Sequence, residues 1–183
     1  MSSEGIDCAC HEDAAGSPRT GSTTLRCVKR SSVAHVQCSI AQTLEIVGEW
    51  WTLLVLRNIS FGQRRFEAIQ ADLGIARNVL SDRLTTLVDQ GILDRTKYQD
   101  NPERFEYRPT EKGKELLGVL LALLAWGDKW AAPEGKPMII THLDCGHETD
   151  PKVTCSHCGA ELLWGHTRGH AGPGLRRAAS APA

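Results

Sequence analysis

Residues 64–109, RRFEAIQADLGIARNVLSDRLTTLVDQGILDRTKYQDNPERFEYRP, decide the fold. Phe66, Ile69 and Leu73 recur at three- and four-residue intervals, as one face of a helix requires, and Gly74 can take the left-handed conformation that closes it. A helix over residues 64–74 is predicted. After a tight turn at Gly74 to Ala76, a second helix over residues 77–90 puts Leu80, Leu84, Leu87 and Val88 on one stripe. Arg77, Asn78, Ser81 and Thr85 fall on the opposite side. Beyond Gly91, two β-prone runs, Ile92 to Tyr98 and Arg104 to Pro109, flank turn-forming residues 99–103, the pattern of a β-hairpin.

Upstream, Ile40, Leu44 and Val47 share a helical face that Gly48 interrupts. WWTLLVLRNI, Trp50 to Ile59, is apolar on nearly every side and predicts the central core helix, ended by Phe61 and Gly62. Downstream, Thr110 offers a hydroxyl N-cap to a helix reaching Trp130. Its Leu116, Leu117, Val119, Leu120, Leu121, Leu123, Leu124 and Trp126 exceed one core-facing stripe, so the surplus face is expected to meet a partner helix. The fold class read from this order is mainly α with a small β-hairpin (α+β), a winged helix-turn-helix over residues 38–131.

Around that domain, residues 1–37 are rich in small and polar types and are expected to form a disordered arm. The linker APEGKP, Ala132 to Pro137, leads to a Cys/His-rich module over residues 138–164. Residues 165–183, with Arg168, Arg176 and Arg177, read as a solvated tail.

With 183 residues the chain suits one compact domain and a small appendage. Its 21 Lys and Arg against 22 Asp and Glu leave a formal charge of −1, so any surface for nucleic acid must be locally basic. No signal-peptide pattern opens the chain, and the apolar stretch Leu116 to Trp126 falls short of the roughly 20 residues that span a bilayer. A soluble, cytoplasmic protein is expected. Its seven cysteines then read as thiols, metal ligands or redox sensors rather than as a disulfide framework.

Two helices joined by a tight turn, the second with a polar outer face and followed by a basic hairpin, match a device for entering DNA. Residues 77–90 would occupy the major groove. Arg77 and Asn78, near the helix start, can reach base edges, because Arg pairs with guanine and Asn with adenine through two hydrogen bonds each. Ser81 and Arg83 suit phosphate or mixed contacts. Arg95, Lys97, Arg104 and Arg108 on the hairpin can follow the adjacent backbone and would make affinity fall with salt.

The stretch CSIAQTLEIVGEWWTLLVLRNISFGQRRFEAIQADLGIARNVLSDRLTTLVDQGILDRTKYQDNPERFEYRPTEKGKEL resembles the HxlR family of bacterial regulators, relatives of the MarR group. Six segments carry the resemblance in order: C-x-I, W-T-L-L-x-L-R, F-x-x-x-R-F, V-L-S-x-R-L-x-x-L, G-I-L-x-R and Y-x-x-T-x-x-G. It implies a winged helix-turn-helix, a homodimer formed mainly by the first and last helices of the domain, and an inverted-repeat operator in double-stranded DNA. Ala76 and Arg77 stand where the family usually has Ser-Pro, which removes a helix cap and makes Arg77 a contact particular to this chain. Trp50, where a Lys is common, is expected to pack beside Trp51.

Cys38 matches the position of the sensor cysteine in the thiol-responsive branch of the family. A helix N-terminus favours thiolate over thiol, which is the physical basis for reactivity there. The competing reading is a small residue that packs. In THLDCGHETDPKVTCSHCGAEL, Cys145, His147, Cys155 and Cys158 supply the donors of a closed tetrahedral zinc site, and C-x-x-C-G resembles a zinc-knuckle turn, so a zinc-ribbon-like module is expected. Free thiols, a Cys155–Cys158 disulfide, or His142 or His157 in place of His147 remain open alternatives. No βαβ unit precedes Cys155, and neither G-x-x-x-x-G-K-[ST] nor G-x-G-x-x-G occurs, so an enzyme is not expected. The alternative function is a zinc- or thiol-based redox module whose helical domain binds a protein partner.

Overall fold

The structure is a computed structural model and describes residues 32–175. Most of the expected arm, residues 1–31, and the end of the expected tail, residues 176–183, lie outside the described residues. Helix α1, Ser39–Val47, begins at the extended Cys38, whose carbonyl accepts from the Gln42 N–H, and ends at Gly48. Helix α2, Trp50–Ser60, buries Val55, Leu56 and Ile59 together with the polar Thr52 and Asn58. It packs against α1, α3, Phe66–Leu73, and α4, Arg77–Asp89, and so occupies the central place that its all-round apolarity predicted.

Helix α3 closes at Gly74 in the left-handed region, φ 60° and ψ 22°, a conformation that penalises a Cβ. Helix α4 follows after two residues. Its N-cap, Ala76, supplies no side-chain hydrogen bond, a lack that costs about 1 kcal/mol. Burying Leu80, Leu84 and Leu87 contributes on the order of 1.5–3 kcal/mol each and outweighs it. Packing rather than capping therefore holds α4.

Strand β1, Leu93–Gln99, pairs antiparallel with β2, Arg104–Pro109, in a register that sets Arg95 opposite Tyr107. A third edge was not expected. Arg64 and Arg65, read from sequence as the first helical turn, are extended: Arg65 bridges to Glu106, and the Tyr107 N–H donates to the Arg64 carbonyl at 2.8 Å. A helix begun at Arg64 would leave that N–H, on a buried residue, without its partner.

Helix α5, Glu111–Trp130, starts at Thr110, whose hydroxyl accepts from the Gly113 N–H and donates to the Gly91 carbonyl. Only Gly113 is buried along α5, while Leu123, Trp126 and Trp130 are mostly exposed. Trp50 departs from expectation: Trp51 packs on the core, whereas Trp50 is 76% exposed and is not among the described side chains packed against it. Beyond the linker, β3, Ile140–His142, pairs antiparallel with β4, His147–Thr149, and Thr154 bridges to Glu161. Among the described residues no helix is long and apolar enough to cross a membrane.

Candidate nucleic-acid interface

The three buried leucines of α4 turn Arg77, Asn78, Ser81 and Thr85 outward, and all four are exposed. Arg77 opens the helix with its guanidinium 4.8 Å from the Phe66 ring centroid, held there by cation–π attraction. Arg83 sits differently. It is half-buried, and its Nε is shut from solvent with no hydrogen-bond partner, so its stem lies against the protein rather than standing free.

The hairpin cations divide by partner. Arg95 stacks on Phe105 at 3.8 Å and stays exposed. Lys97 is engaged by Glu103 and lies 3.5 Å from Asp100. Glu103 holds the ammonium above its usual range, and Lys97 holds Glu103 below the usual carboxylate range. Arg108 reaches Glu106 at 3.3 Å. Arg104, among the described residues, pairs with no carboxylate; with Arg77, Phe66, Glu67, Phe105 and Tyr107 it lines a small cleft of about 100 Å³ where α4 meets the hairpin. The structure thus brings Arg77 and Arg104 together and leaves Lys97 and Arg108 neutralised within the wing.

Sequence reasoning missed Arg64 and Arg65. Both are exposed beside Arg108 along a shallow groove where the third strand edge meets α3. Arg65 donates to Glu106 at 3.0 Å and its guanidinium stacks over Tyr98 at 4.6 Å. The hydrogen bond from Arg65, then that from Arg108, holds Glu106 below the usual carboxylate range. A basic pair directly before the first helix of a helix-turn-helix was the signal available, but the helical reading placed it in the first turn.

Away from this surface, the exposed Ile40, Trp50, Leu123, Trp126 and Trp130 leave apolar area uncovered on α1, α2 and α5. An open groove of about 660 Å³ runs between α2 and α5, with Leu54, Leu123 and Met138 on its walls and the Arg57–Asp72 ion pair at 3.0 Å among its lining. Cys38 is an exposed free thiol at the start of α1.

In the C-terminal module Cys145, Cys155 and Cys158 are free thiols. The Cys145 sulfur lies 3.3 Å from Nδ1 of His142, not of the expected His147, which pairs across β3 and β4. Backbone amides of Cys158 and His157 lower the Cys155 thiol below its usual range. Among the described residues no three His, Cys, Asp or Glu side chains are gathered to hold a metal ion, so the expected four-ligand set is not assembled.

The HxlR-like helix-turn-helix family matches residues 46–135. An uncharacterised HTH-type transcriptional regulator of Mycobacterium tuberculosis is 45% identical over 139 residues, which cover 75% of this chain and 88% of that protein. One from Synechocystis is 32% identical over 118 residues, 64% of this chain and 87% of the relative. Among solved structures, PA1607, described as a candidate transcription factor, superposes with a TM-score of 0.64 at 30% identity, covering 73% of this chain and 94% of its own. PA1374 of Pseudomonas aeruginosa does so with 0.53 at 35%, covering 76% and 95%. These similar proteins are transcription regulators, not enzymes. With a winged helix-turn-helix core, an outward polar face on α4 and these relatives, the chain belongs to the HxlR-like helix-turn-helix family of DNA-binding transcription regulators.

Proposed function

We propose that this chain acts as a homodimer on an inverted-repeat operator, with α4 of each protomer in a major groove and the wings on the flanking backbone. The observation that carries the reading is the outer face of α4: Arg77, Asn78 and Ser81 are exposed on a helix whose other side is anchored by three fully buried leucines. A rigidly seated helix is what base readout requires, since hydrogen bonds to base edges discriminate only when register is fixed. Arg77 and Asn78 read bases, Ser81 and Thr85 border them, and Arg64, Arg95 and Arg104 meet phosphates. Arg83 contributes by packing and at most a phosphate contact, in keeping with its half-buried stem. The exposed apolar faces of α1 and α5 supply the self-association that two-fold operator symmetry needs.

The test is a gel shift on DNA from the region upstream of its own coding sequence, across a salt series, beside an Arg77→Ala, Asn78→Ala double variant. Specific, salt-sensitive binding is expected. Each lost bidentate contact costs about 1–3 kcal/mol, so the double variant binds at least about thirtyfold more weakly. Absence of specific binding in reductant sinks this reading in favour of a redox module with a protein partner.

A thiol response rests on one further observation, the exposure of Cys38 at the first turn of α1, a helix of the same apolar face. Oxidation there would alter the packing of the dimer and with it the separation of the two α4 helices. Cys38→Ser keeps DNA binding in reductant and abolishes its loss in diamide; a variant as diamide-sensitive as the parent removes Cys38 from the signal.

A further inference from the structure

We propose that the C-terminal segment binds one zinc ion per chain through His142, Cys145, Cys155 and Cys158, as two knuckles of the same build. The first knuckle runs His142-Leu143-Asp144-Cys145-Gly146 and the second Cys155-Ser156-His157-Cys158-Gly159. Each presents donors three residues apart. In each, the glycine N–H donates to the carbonyl of the first donor at 2.8 Å, and that glycine is left-handed, φ 71° at Gly146 and 72° at Gly159. Both turns sit at the tip of an antiparallel pairing, His142 with His147 and Thr154 with Glu161. Two unrelated stretches adopting one conformation around the same donor spacing are two halves of one site.

His142 is the histidine that fits this scheme. Its Nδ1 lies 3.3 Å from the Cys145 sulfur, while Nε2 lies 3.5 Å from the Asp144 carboxylate. With the proton on Nε2 toward Asp144, the Nδ1 lone pair is free for the metal, the usual carboxylate–histidine support of a zinc ligand. His147 follows Gly146 and belongs to the returning strand β4.

Beyond short strand pairings and exposed ion pairs, the module has no apolar core of its own. None of residues 138–164 is buried, and Leu143 and Trp164 are almost wholly exposed. Segments this short rarely hold together without a metal or disulfides. The two donor pairs are not gathered around a common point. Closing them on a cation is the step that metal binding drives in such modules, where binding energy is folding energy. Three thiols would lose their protons to solvent, and Zn²⁺ with three thiolates and one neutral imidazole forms a closed tetrahedral site of net charge −1.

The test uses the full chain, purified in reductant with zinc supplied and then freed of loose metal. Bound zinc is measured by mass spectrometry and ligand type by the visible spectrum after cobalt exchange. Cys8, Cys10 and His11 offer other donors near the N-terminus, so the variants decide. One zinc per chain and a tetrahedral, thiolate-rich cobalt spectrum are expected. Zinc is lost in Cys145→Ser, Cys155→Ser and His142→Ala, and retained in His147→Ala and in His142→Cys, which makes the first knuckle a C-x-x-C. The proposal is overturned by a zinc-free parent, by zinc that survives the cysteine substitutions, or by His147→Ala losing as much as His142→Ala.

Discussion

The side-chain amide of Asn58 donates to the Asp72 carboxylate at 2.8 Å, and this bond ties the central helix α2 to α3, the first helix of the helix-turn-helix. Asn58 is only 3% exposed and its other contacts are all satisfied: Gln63 accepts from the same amide at 3.0 Å, and Arg57 Nε donates to its carbonyl at 2.9 Å. Removing the Asn58 amide takes a donor from Asp72 and from Gln63, and because Arg57 and Asp72 stay paired and 38% and 40% exposed the loss is that of net hydrogen bonds, about 0.5–1.5 kcal/mol each. Asn58→Ala is expected to lower unfolding stability by the sum of these losses in urea titration. A change near zero would mean that water replaces the amide at no cost.

The same network makes stability depend on acid. Hydrogen bonds from Asn58 and Gln63, with Arg57 adding its charge, hold Asp72 below the usual carboxylate range. A depressed folded value means that the stabilisation is fully present above the unfolded value of about 3.9 and is lost as pH falls through the folded value. The stability gap between the parent and Asp72→Asn should therefore be constant near neutrality and shrink below about pH 4. A gap that widens in acid would contradict the assignment.

Gly113 is where α5 touches the core most closely. A Cβ there would stand 2.2 Å from the Ile92 carbonyl oxygen, a backbone atom that cannot rotate away. Helix propensity favours alanine by up to about 1 kcal/mol, but overpacking against backbone costs about 1–3 kcal/mol or more. Gly113→Ala is expected to lower the thermal midpoint despite its better helix propensity, whereas Gly118→Ala, with open space around it, should raise or preserve it.

Glu106 accepts from both Arg65 and Arg108 and so restrains one cation of the wing and one of the strand edge beside it. In Glu106→Gln these guanidiniums are released toward phosphate. Each additional phosphate contact steepens the slope of log affinity against log salt by about 0.9. The variant should bind DNA more tightly at low salt with a steeper slope. An unchanged slope would show that neither arginine reaches the backbone.

The apolar stripe of α5 provides a test of assembly. Leu123 and Trp126, 51% and 64% exposed, lie one turn apart with most of their surface uncovered among the described residues. Leu123→Glu with Trp126→Glu would place two charges in the proposed dimer interface, so sedimentation should report a monomer with its helix content intact. A variant that remains dimeric moves the interface elsewhere.

Periodicity, with turn residues and β-propensity, determined the helices apart from the start of α3, the turn between α3 and α4, the hairpin and the polar face of α4. Burial of one side of a helix or strand writes itself into spacing, as Leu80, Leu84 and Leu87 show, and spacing is local information. The surplus on α5 was legible for the same reason. Tertiary structure decided what depends on which segments return to meet each other. Arg64 and Arg65 became a strand edge because Tyr107 came back to pair with them. Lys97 and Arg108 lost their freedom to Glu103 and Glu106, partners that a count of wing cations does not see. Trp50 stayed outside although its neighbour Trp51 went in, since only packing says which of two adjacent side chains faces the core. His142, not His147, came to lie beside Cys145 because a left-handed Gly146 folds the chain back across three residues. Hydrophobic pattern is read along the chain, whereas pairing of polar groups is a property of distances that only the folded chain possesses.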